Sequence, residues 1–271
     1  MPHWPDGFLN LYPQLTSWMT SMSEATGFNK VAIIGSGVMG SGIAQVIAAS
    51  TRAAVMLCDL DRSRLDVALE QIEHGRFGLR RSAERGKIAE ADVPEIMSRL
   101  VPHTDLAAAC ADAEVVVEAI PEDLRLKCRL FRQLDRICPA HTILTSNTSG
   151  LPVTALAWAT GRPERVLGWH WAQPTPVIKL AEIVVHPDLD PHVRDSVVAF
   201  AAACGKNPEI VVDQPQAWGF VANRIYRAAQ REAARVVEEG VASAEQVDRI
   251  LKDSYRWPMG PLEMMQQENL R

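Results

Sequence analysis

The sequence lacks a basic excess, and this excludes one large class of partners. Its 28 lysine and arginine residues are outnumbered by 33 aspartate and glutamate residues, which gives a formal net charge of −5. A protein that binds nucleic acid neutralises phosphates with clustered basic residues, so we expect no nucleic-acid partner. Long apolar runs are missing too, and since no stretch reaches the length needed to span a bilayer, we expect no membrane partner.

Cysteine is scarce as well, and its distribution fits neither a metal site nor a disulfide framework. No paired or Cys/His spacing occurs among Cys58, Cys110, Cys128, Cys138 and Cys204. We therefore expect no metal site, and buried free thiols in a reducing cytoplasm. Residues 1–28 lack the basic and apolar segments of a signal peptide. They are interpreted as an N-terminal extension in which Met1 and Met22 are both candidate starts.

Strand and helix patterns alternate from residue 29 to residue 213, and helix patterns alone follow. This order predicts an α/β fold: a Rossmann-type domain over 29–213 with a mostly parallel sheet, and a smaller all-helical domain over 214–271. The predicted strands are 30–35, 53–59, 114–120, 142–146, 165–171, 180–185 and 208–212. The predicted helices are 41–50, 61–87, 91–100, 123–138, 151–160, 190–204, 219–239 and 243–255, with another beginning at 261.

A glycine-rich turn ends the first predicted strand and opens the first predicted helix. Its glycines are Gly35, Gly37 and Gly40, a spacing that lets the backbone approach a pyrophosphate at a helix N-terminus. Asp59 ends the second strand, where a carboxylate accepts hydrogen bonds from ribose hydroxyls and repels a 2′-phosphate. The pattern predicts a dinucleotide site, and Asp59 favours NAD over NADP.

His170 lies near the end of a predicted strand, the place where open α/β sheets bind their ligands. Glu182 is on the following strand, beyond a loop long enough to bring the two side chains together. A carboxylate beside an imidazole holds it in one tautomer, as a general base requires. A histidine on a strand is also commonly structural, so the two residues alone leave both interpretations open.

Six segments follow each other between Lys30 and the C-terminus in an order that resembles the 3-hydroxyacyl-CoA dehydrogenases. They are Gly35–Gln45, Glu118–Glu122, Ser146–Ser149, Gly168–His170 with Pro174 and Glu182, Gly219–Arg224, and Pro258–Glu263.

The resemblance implies a role for each matching residue. His170 would be the catalytic base and Glu182 its partner, while Ser149 and Asn223 would hold the reacting oxygen. Glu122 and Lys127 would contact the nicotinamide end of the cofactor, although a lysine on a helix is otherwise expected to be solvated. The implied cofactor-binding set is Gly35, Gly37, Val38, Met39, Gly40, Asp59, Glu122, Lys127 and Asn147, and the implied substrate contacts are Ser149, Gln173 and Asn223.

The sequence departs from the family pattern around the substrate. Gln173 stands where the family has a shorter amide, and Trp171 and Trp218 are expected to add bulk near the same place. A smaller pocket favours short or compact acyl chains. Three arginines, Arg76, Arg80 and Arg81, match the region where the family binds CoA, and a solvated basic face is the other interpretation.

The resemblance implies NAD-dependent oxidation of an L-3-hydroxyacyl-CoA to the 3-ketoacyl-CoA, in fatty acid metabolism, by a cytoplasmic homodimer. Two alternatives stay open. One is a dehydrogenase of a free β-hydroxy acid, of the sugar-acid or carnitine type, and the other is a catalytically silent NAD-binding protein similar to lambda-crystallin. The sequence ends soon after Pro261, where the family continues through further helices, so the helical domain is expected to be short or truncated.

Overall fold

A computed structural model of the chain describes residues 27–269, which fall into two units that divide after Pro215. The predicted N-terminal extension, residues 1–28, lies outside the described residues except for its last two. Phe28 is one of these two, and its ring packs edge-on against Phe200 at 4.9 Å between centroids. Phe28 is therefore part of the folded core.

The first unit is built on an eight-stranded sheet with the order β3-β2-β1-β4-β5-β6-β7-β8. All neighbouring strands are parallel except β6 and β7, which are antiparallel. This is the mostly parallel sheet that the sequence predicts. The strands are β1 Lys30–Ile34, β2 Ala54–Cys58, β3 Leu100–His103, β4 Val115–Glu118, β5 Ile143–Ser146, β6 Val166–Trp171, β7 Leu180–Val185 and β8 Asn207–Val212.

Helices cover both faces of this sheet, so its central strands are apolar on both sides. Val31–Ile33 of β1 and Val115–Val117 of β4 have no exposed surface, and the two faces contribute to two separate hydrophobic clusters. The helices of this unit are α1 Val38–Ser50, α2 Arg62–His74, α3 Leu79–Glu84, α4 Val93–Ser98, α5 Leu106–Cys110, α6 Leu124–Ile137, α7 Val153–Ala157 and α8 Pro191–Ala203, with 3-10 turns at Glu90–Asp92 and Pro163–Arg165.

Two secondary-structure predictions are wrong in the segment after β2. The predicted single helix 61–87 is two helices, because the chain turns at Gly75, where a Cβ would lie 2.4 Å from the carbonyl oxygen of Gln71. The predicted helix 91–100 ends at Ser98, and Leu100–His103 then pairs with β2 as a strand at the sheet edge. An edge position tolerates Pro102, which has no backbone N–H to donate.

The second unit contains α9 Val221–Glu238, α10 Ala244–Tyr255 and α11 Pro261–Asn269. Gly240, with φ of 73°, follows the end of α9, and a reciprocal capping box between Ser243 and Gln246 begins α10. Asp248 of α10 accepts hydrogen bonds from two backbone N–H groups in the first turn of α11, both at 2.9 Å. Among the described residues, no helix is long and apolar enough to cross a membrane.

Candidate active site

The predicted glycine turn joins β1 to α1, and two of its glycines are required by close backbone approaches. Gly35 has φ of 102°, and a Cβ there would lie 2.7 Å from the carbonyl oxygen of Ala119. A Cβ on Gly40 would lie 1.8 Å from the carbonyl oxygen of Gly35, so α1 can pack on the turn only without a side chain. A Cβ on Gly37 would meet nothing within 4 Å, which leaves room for a pyrophosphate at the helix N-terminus.

Asp59 follows β2 and its carboxylate reaches back to the glycine turn. Its Oδ2 accepts hydrogen bonds from the backbone N–H and the hydroxyl of Ser36, each at 2.8 Å, and its Oδ1 accepts one from Leu60 N–H at 2.8 Å. Burial acts to raise the pKa of Asp59, but these hydrogen bonds outweigh burial and hold the pKa below its usual value. The acid is therefore an anion beside the turn, as ribose recognition requires.

His170 and Glu182 face each other on the antiparallel strands β6 and β7. The register pairs the two residues directly, and Nδ1 of His170 lies 2.6 Å from Oε2 of Glu182. Both side chains are buried. With the Nδ1 proton donated to the carboxylate, the basic lone pair of the imidazole is on Nε2.

The parallel strands bring these groups to one edge of the sheet. β1, β4, β5 and β6 run in the same direction, so their carboxyl ends lie side by side. Gly35 follows β1, Glu118 ends β4, Ser146 ends β5, and His170 is the penultimate residue of β6. Ligands of open α/β sheets bind at this edge, which makes it the candidate active site.

Ser149 lies in the loop after β5, and Glu122 fixes that loop. Oε1 of Glu122 accepts hydrogen bonds from Ser149 N–H at 2.7 Å and from the hydroxyl of Thr148 at 2.6 Å. Asn147 ties the same loop to the strand of His170, because its Oδ1 accepts a hydrogen bond from Trp171 N–H at 2.9 Å. The loop thus has a defined place beside the histidine.

Lys127 is buried rather than solvated, and its neighbours are acids. Only 1% of its side chain is exposed. Its Nζ lies 2.6 Å from Oε1 of Glu118, 3.1 Å from the carbonyl oxygen of Ile120 and 3.3 Å from Oε2 of Glu122. The expectation of a solvated lysine is therefore wrong. The ammonium holds the carboxylate that in turn fixes Ser149.

Glu118 is a site residue that the sequence reasoning did not single out. Its side chain has no exposed surface, and its Oε2 accepts a hydrogen bond from the hydroxyl of Ser146 at 2.5 Å. Burial raises the pKa of Glu118, while Lys127 and Ser146 act to lower it. The available signal was an acid placed directly after three valines at the end of a buried strand.

Gln173 lies in the loop between β6 and β7, and its side chain is exposed. Residues 173–176 form one side of a cavity of about 140 Å³, which we call the loop cavity. Val38, Ser41 and Gly42, in the part of α1 that follows the glycine turn, form another side of this cavity. Arg76 and the residues next to it complete the lining. The loop that carries Gln173 therefore lies next to the start of the cofactor helix.

The structure describes both of the tryptophans that were expected to narrow the substrate pocket. Trp171 is buried in the core, where its ring lies 4.9 Å from that of Trp169. Trp218 belongs to the second unit, is 46% exposed and has the guanidinium of Arg227 at 4.4 Å from its ring. The ring of Trp171 therefore belongs to the core and adds no bulk to a pocket, whereas the expected position of Trp218 beside the substrate remains a prediction.

The predicted arginines Arg76, Arg80 and Arg81 line one basic cavity of about 420 Å³, together with His74 and Arg85. Acids neutralise part of its charge, because Arg80 pairs with Glu73 and Glu90, and Arg81 pairs with Glu84. The cavity thus keeps a positive excess, as a phosphate site requires.

Asn223 belongs to the second unit. It lies in the first turn of α9 and is half-buried. The role that the resemblance gives it remains a prediction.

Comparison with known proteins identifies the family. The 3-hydroxyacyl-CoA dehydrogenase NAD binding domain matches residues 30–214, and the C-terminal domain of the same family matches residues 219–270. The chain belongs to the 3-hydroxyacyl-CoA dehydrogenases. It is an NAD-dependent oxidoreductase, and its relatives support the oxidation of 3-hydroxyacyl-CoA.

Individual relatives narrow the comparison. A probable 3-hydroxybutyryl-CoA dehydrogenase of Bacillus subtilis is 40% identical over 86% of this chain and 78% of its own length. The 3-hydroxyadipyl-CoA dehydrogenase of Escherichia coli is 41% identical over 86% of this chain, which spans only 48% of that protein. The crystal structure of (S)-3-hydroxybutyryl-CoA dehydrogenase from Ralstonia eutropha superposes with a TM-score of 0.81 at 32% identity, covering 87% of this chain and 81% of that one.

Proposed function

We propose that this dehydrogenase oxidises a short L-3-hydroxyacyl-CoA to the corresponding 3-ketoacyl-CoA. The observation that supports this most directly is the buried contact of 2.6 Å between His170 and Glu182, at the same sheet edge as the glycine turn. A base held by an acid beside a dinucleotide site suits the removal of a proton and a hydride from a secondary alcohol.

In the proposed reaction, Nε2 of His170 accepts the proton of the 3-hydroxyl group. NAD, when bound, supplies the acceptor for the hydride from C3, and the products are the ketone, NADH and a proton. Glu182 stabilises the imidazolium and keeps Nδ1 protonated throughout. Its buried position excludes water from the contact, which strengthens the electrostatic attraction.

The remaining polar residues would position the reacting oxygen and the cofactor. We assign the hydroxyl of Ser149 and the amide of Asn223 to the substrate oxygen, and Gln173 to the substrate. The hydrogen bonds of Glu122 to Thr148 and Ser149 support a fixed place for the serine. Glu122 would also face the nicotinamide end, whereas the burial of Lys127 favours a supporting role for that residue.

The substrate class rests on two observations. The relatives from Bacillus subtilis and Ralstonia eutropha are named for a four-carbon acyl group, the former as a probable enzyme, and the latter name specifies the (S) enantiomer, which corresponds to the L form. The basic cavity around Arg76 and Arg80 offers positive charge for the phosphates of CoA. Together these favour a short L-3-hydroxyacyl group on CoA.

The experiment is an NADH-formation assay with a matched substrate panel. It compares (S)- and (R)-3-hydroxybutyryl-CoA with free 3-hydroxybutyrate, carnitine and a sugar acid. We expect turnover of the (S)-thioester alone. Preferential turnover of a free acid would support the hydroxy-acid alternative, and NAD binding without any turnover would support the catalytically silent one.

We also propose that the chain is a homodimer whose second copy covers an apolar groove of the helical unit. This groove, of about 530 Å³, has Val241, Ile250 and Tyr255 among its lining residues, and each is more than half exposed. An exposed apolar patch of this kind is typical of an interaction surface. A cytoplasmic location is supported by the five cysteines, all of which are free and four of which are buried.

A further inference from the structure

Lys206 is a buried lysine that is held by backbone carbonyls. It lies between α8 and β8, and only 7% of it is exposed. Its Nζ donates hydrogen bonds to the carbonyl oxygens of Thr175 at 2.5 Å and Ile178 at 2.7 Å, and lies 4.9 Å from the ring centroid of Trp171. Within residues 27–269, no carboxylate forms an ion pair with it.

The two carbonyls belong to the loop of residues 172–179, which connects the strands of His170 and Glu182. The loop carries Gln173, and its residues 173–176 form one side of the loop cavity. Thr175 is buried, and its Oγ1 would lie 2.7 Å from a Cβ placed on Gly42 of α1. The loop therefore packs directly against the cofactor helix, and Lys206 holds its backbone through two hydrogen bonds.

Burying a lysine away from an acid disfavours its charged form, and burial lowers the pKa of Lys206 to about 8. A methionine would fill similar space without that penalty. A methionine, however, could not donate hydrogen bonds to the carbonyl oxygens of Thr175 and Ile178. These two carbonyls belong to a loop and are outside the hydrogen-bonded ladder of the sheet. The lysine is therefore better suited to fixing the conformation of the loop than to filling space in the core.

We infer that Lys206 is a positioning residue for the reaction: its ammonium group fixes loop 172–179, and with it Gln173 and the 173–176 side of the loop cavity. The inference rests on the proposed acyl-CoA oxidation. Lys206 is expected to act on substrate binding through the loop, without touching the substrate, and to leave the cofactor turn at Gly35 unchanged.

The first test compares Lys206→Met with Lys179→Met, which changes an exposed lysine of the same loop. We expect Lys206→Met to raise KM for (S)-3-hydroxybutyryl-CoA by about tenfold or more, with kcat changed by less than about threefold and the Kd for NADH unchanged. Lys179→Met should behave as the native chain. A residue that only stabilises the fold would lower the melting temperature and leave KM of the folded enzyme unchanged.

The second test measures amide hydrogen exchange of peptides covering 172–179, with and without NADH. Faster exchange in Lys206→Met, absent from Lys179→Met, is expected from release of the loop. Unchanged exchange, or faster exchange with an unchanged KM, would overturn the inference. Should Lys206→Met fail to fold, Lys206→Gln, which keeps a short amide donor, is tested in the same way.

The two tests also separate this inference from the proposed function. If the native chain oxidises no acyl-CoA, the proposed function fails and the inferred effect on substrate binding fails with it. The exchange of residues 172–179 would still decide whether Lys206 fixes the loop.

Discussion

Asp59 and Ser36 are joined by two hydrogen bonds, one from the backbone N–H and one from the hydroxyl of the serine, each at 2.8 Å. The serine is inside the glycine turn and the aspartate follows the neighbouring strand. The negative charge that is predicted to favour NAD over NADP is thus fixed by the turn that would hold the pyrophosphate. Loss of the carboxylate should affect both cofactor choice and the rigidity of the turn.

The first prediction concerns cofactor choice. Native protein should bind NAD at least about tenfold more tightly than NADP, which corresponds to about 1.4 kcal/mol. Asp59→Ala should narrow this ratio because it removes the charge that repels a 2′-phosphate. Calorimetry provides the measurement, and Asp66→Ala, which removes an exposed acid of α2, is the control. Equal native affinities for the two cofactors would contradict the prediction.

The second prediction concerns the base. His170→Gln should lower kcat by about 10²–10⁴, because the variant has no group that can take the hydroxyl proton. NADH affinity should be nearly unchanged, since the side chain is not part of the glycine turn. His192→Gln, at an exposed position of α8, is the matched control. Steady-state kinetics with fluorescence titration of NADH tests both parts, and activity retained by His170→Gln on every substrate would refute the assignment.

The third prediction concerns the buried ion pair. Lys127→Met should lower the free energy of unfolding by about 3–5 kcal/mol, because it leaves the Glu118 carboxylate buried without its cation. Lys87→Met, at an exposed position, should change it little. Urea unfolding measures both variants. If Lys127→Met lost no more unfolding free energy than Lys87→Met, the ion pair between Lys127 and Glu118 would not be formed.

The pH dependence of that loss follows from the raised pKa of Glu118. The folded pKa of Glu118 is above the usual value of 4.5, so just above pH 4.5 the native state holds a proton that the unfolded chain has already released. The contribution of Glu118 to the free energy of unfolding therefore falls as the pH rises from 4.5 through the folded pKa. Lys127 acts to lower this pKa. Removing Lys127 therefore raises the pKa of Glu118 further and extends the pH range over which stability is lost to higher pH. The deficit of Lys127→Met should therefore be larger near neutral pH than near pH 4.5.

The fourth prediction concerns acyl chain length. In a series from about four to sixteen carbons, kcat/KM should be highest for the short chains, as expected from the relatives that are named for a four-carbon acyl group. If the ring of Trp218 narrows the pocket, as the sequence predicts, Trp218→Ala should extend activity toward longer chains, and an unchanged profile would show that the ring does not limit chain length. A native preference for the sixteen-carbon substrate would exclude the short-chain assignment.

The fifth prediction concerns assembly. Native protein should sediment as a dimer, and Ile250→Glu should sediment as a monomer because it places a charge in the apolar groove. Val67→Glu changes an equally exposed apolar residue of α2 in the first unit and should remain dimeric. A monomeric native protein would show that the groove has another purpose.

The sequence was sufficient to predict the elements whose signals are local. Val115–Val117 of the buried strand β4 are all β-branched, and the glycine turn at Gly35 lies between a clear strand signal and a clear helix signal. The approach of His170 and Glu182 was also predictable, because two strands joined by a short loop place such residues together. Each of these features depends on neighbours in sequence.

The features that escaped prediction depend on tertiary contacts. The edge strand at Leu100–His103 follows a short helix and contains a proline, so its own sequence is a poor strand signal. Lys127 resembles a surface lysine until the fold places Glu118 against it, and Lys206 meets its loop partners about 30 residues away in sequence. Buried charge of this kind has no periodic pattern to reveal it.

The direct pairing of His170 with Glu182 across the β6–β7 ladder has a consequence for how this enzyme can change. Shifting either strand by one residue would turn one of the two side chains to the opposite face of the sheet, so a one-residue insertion between the pair and the rest of its strand would separate the two groups. Insertions in residues 172–179 leave the ladder intact. The proposed substrate contact at Gln173 can therefore change through alterations in that connection, while the proposed proton-transfer pair keeps its geometry.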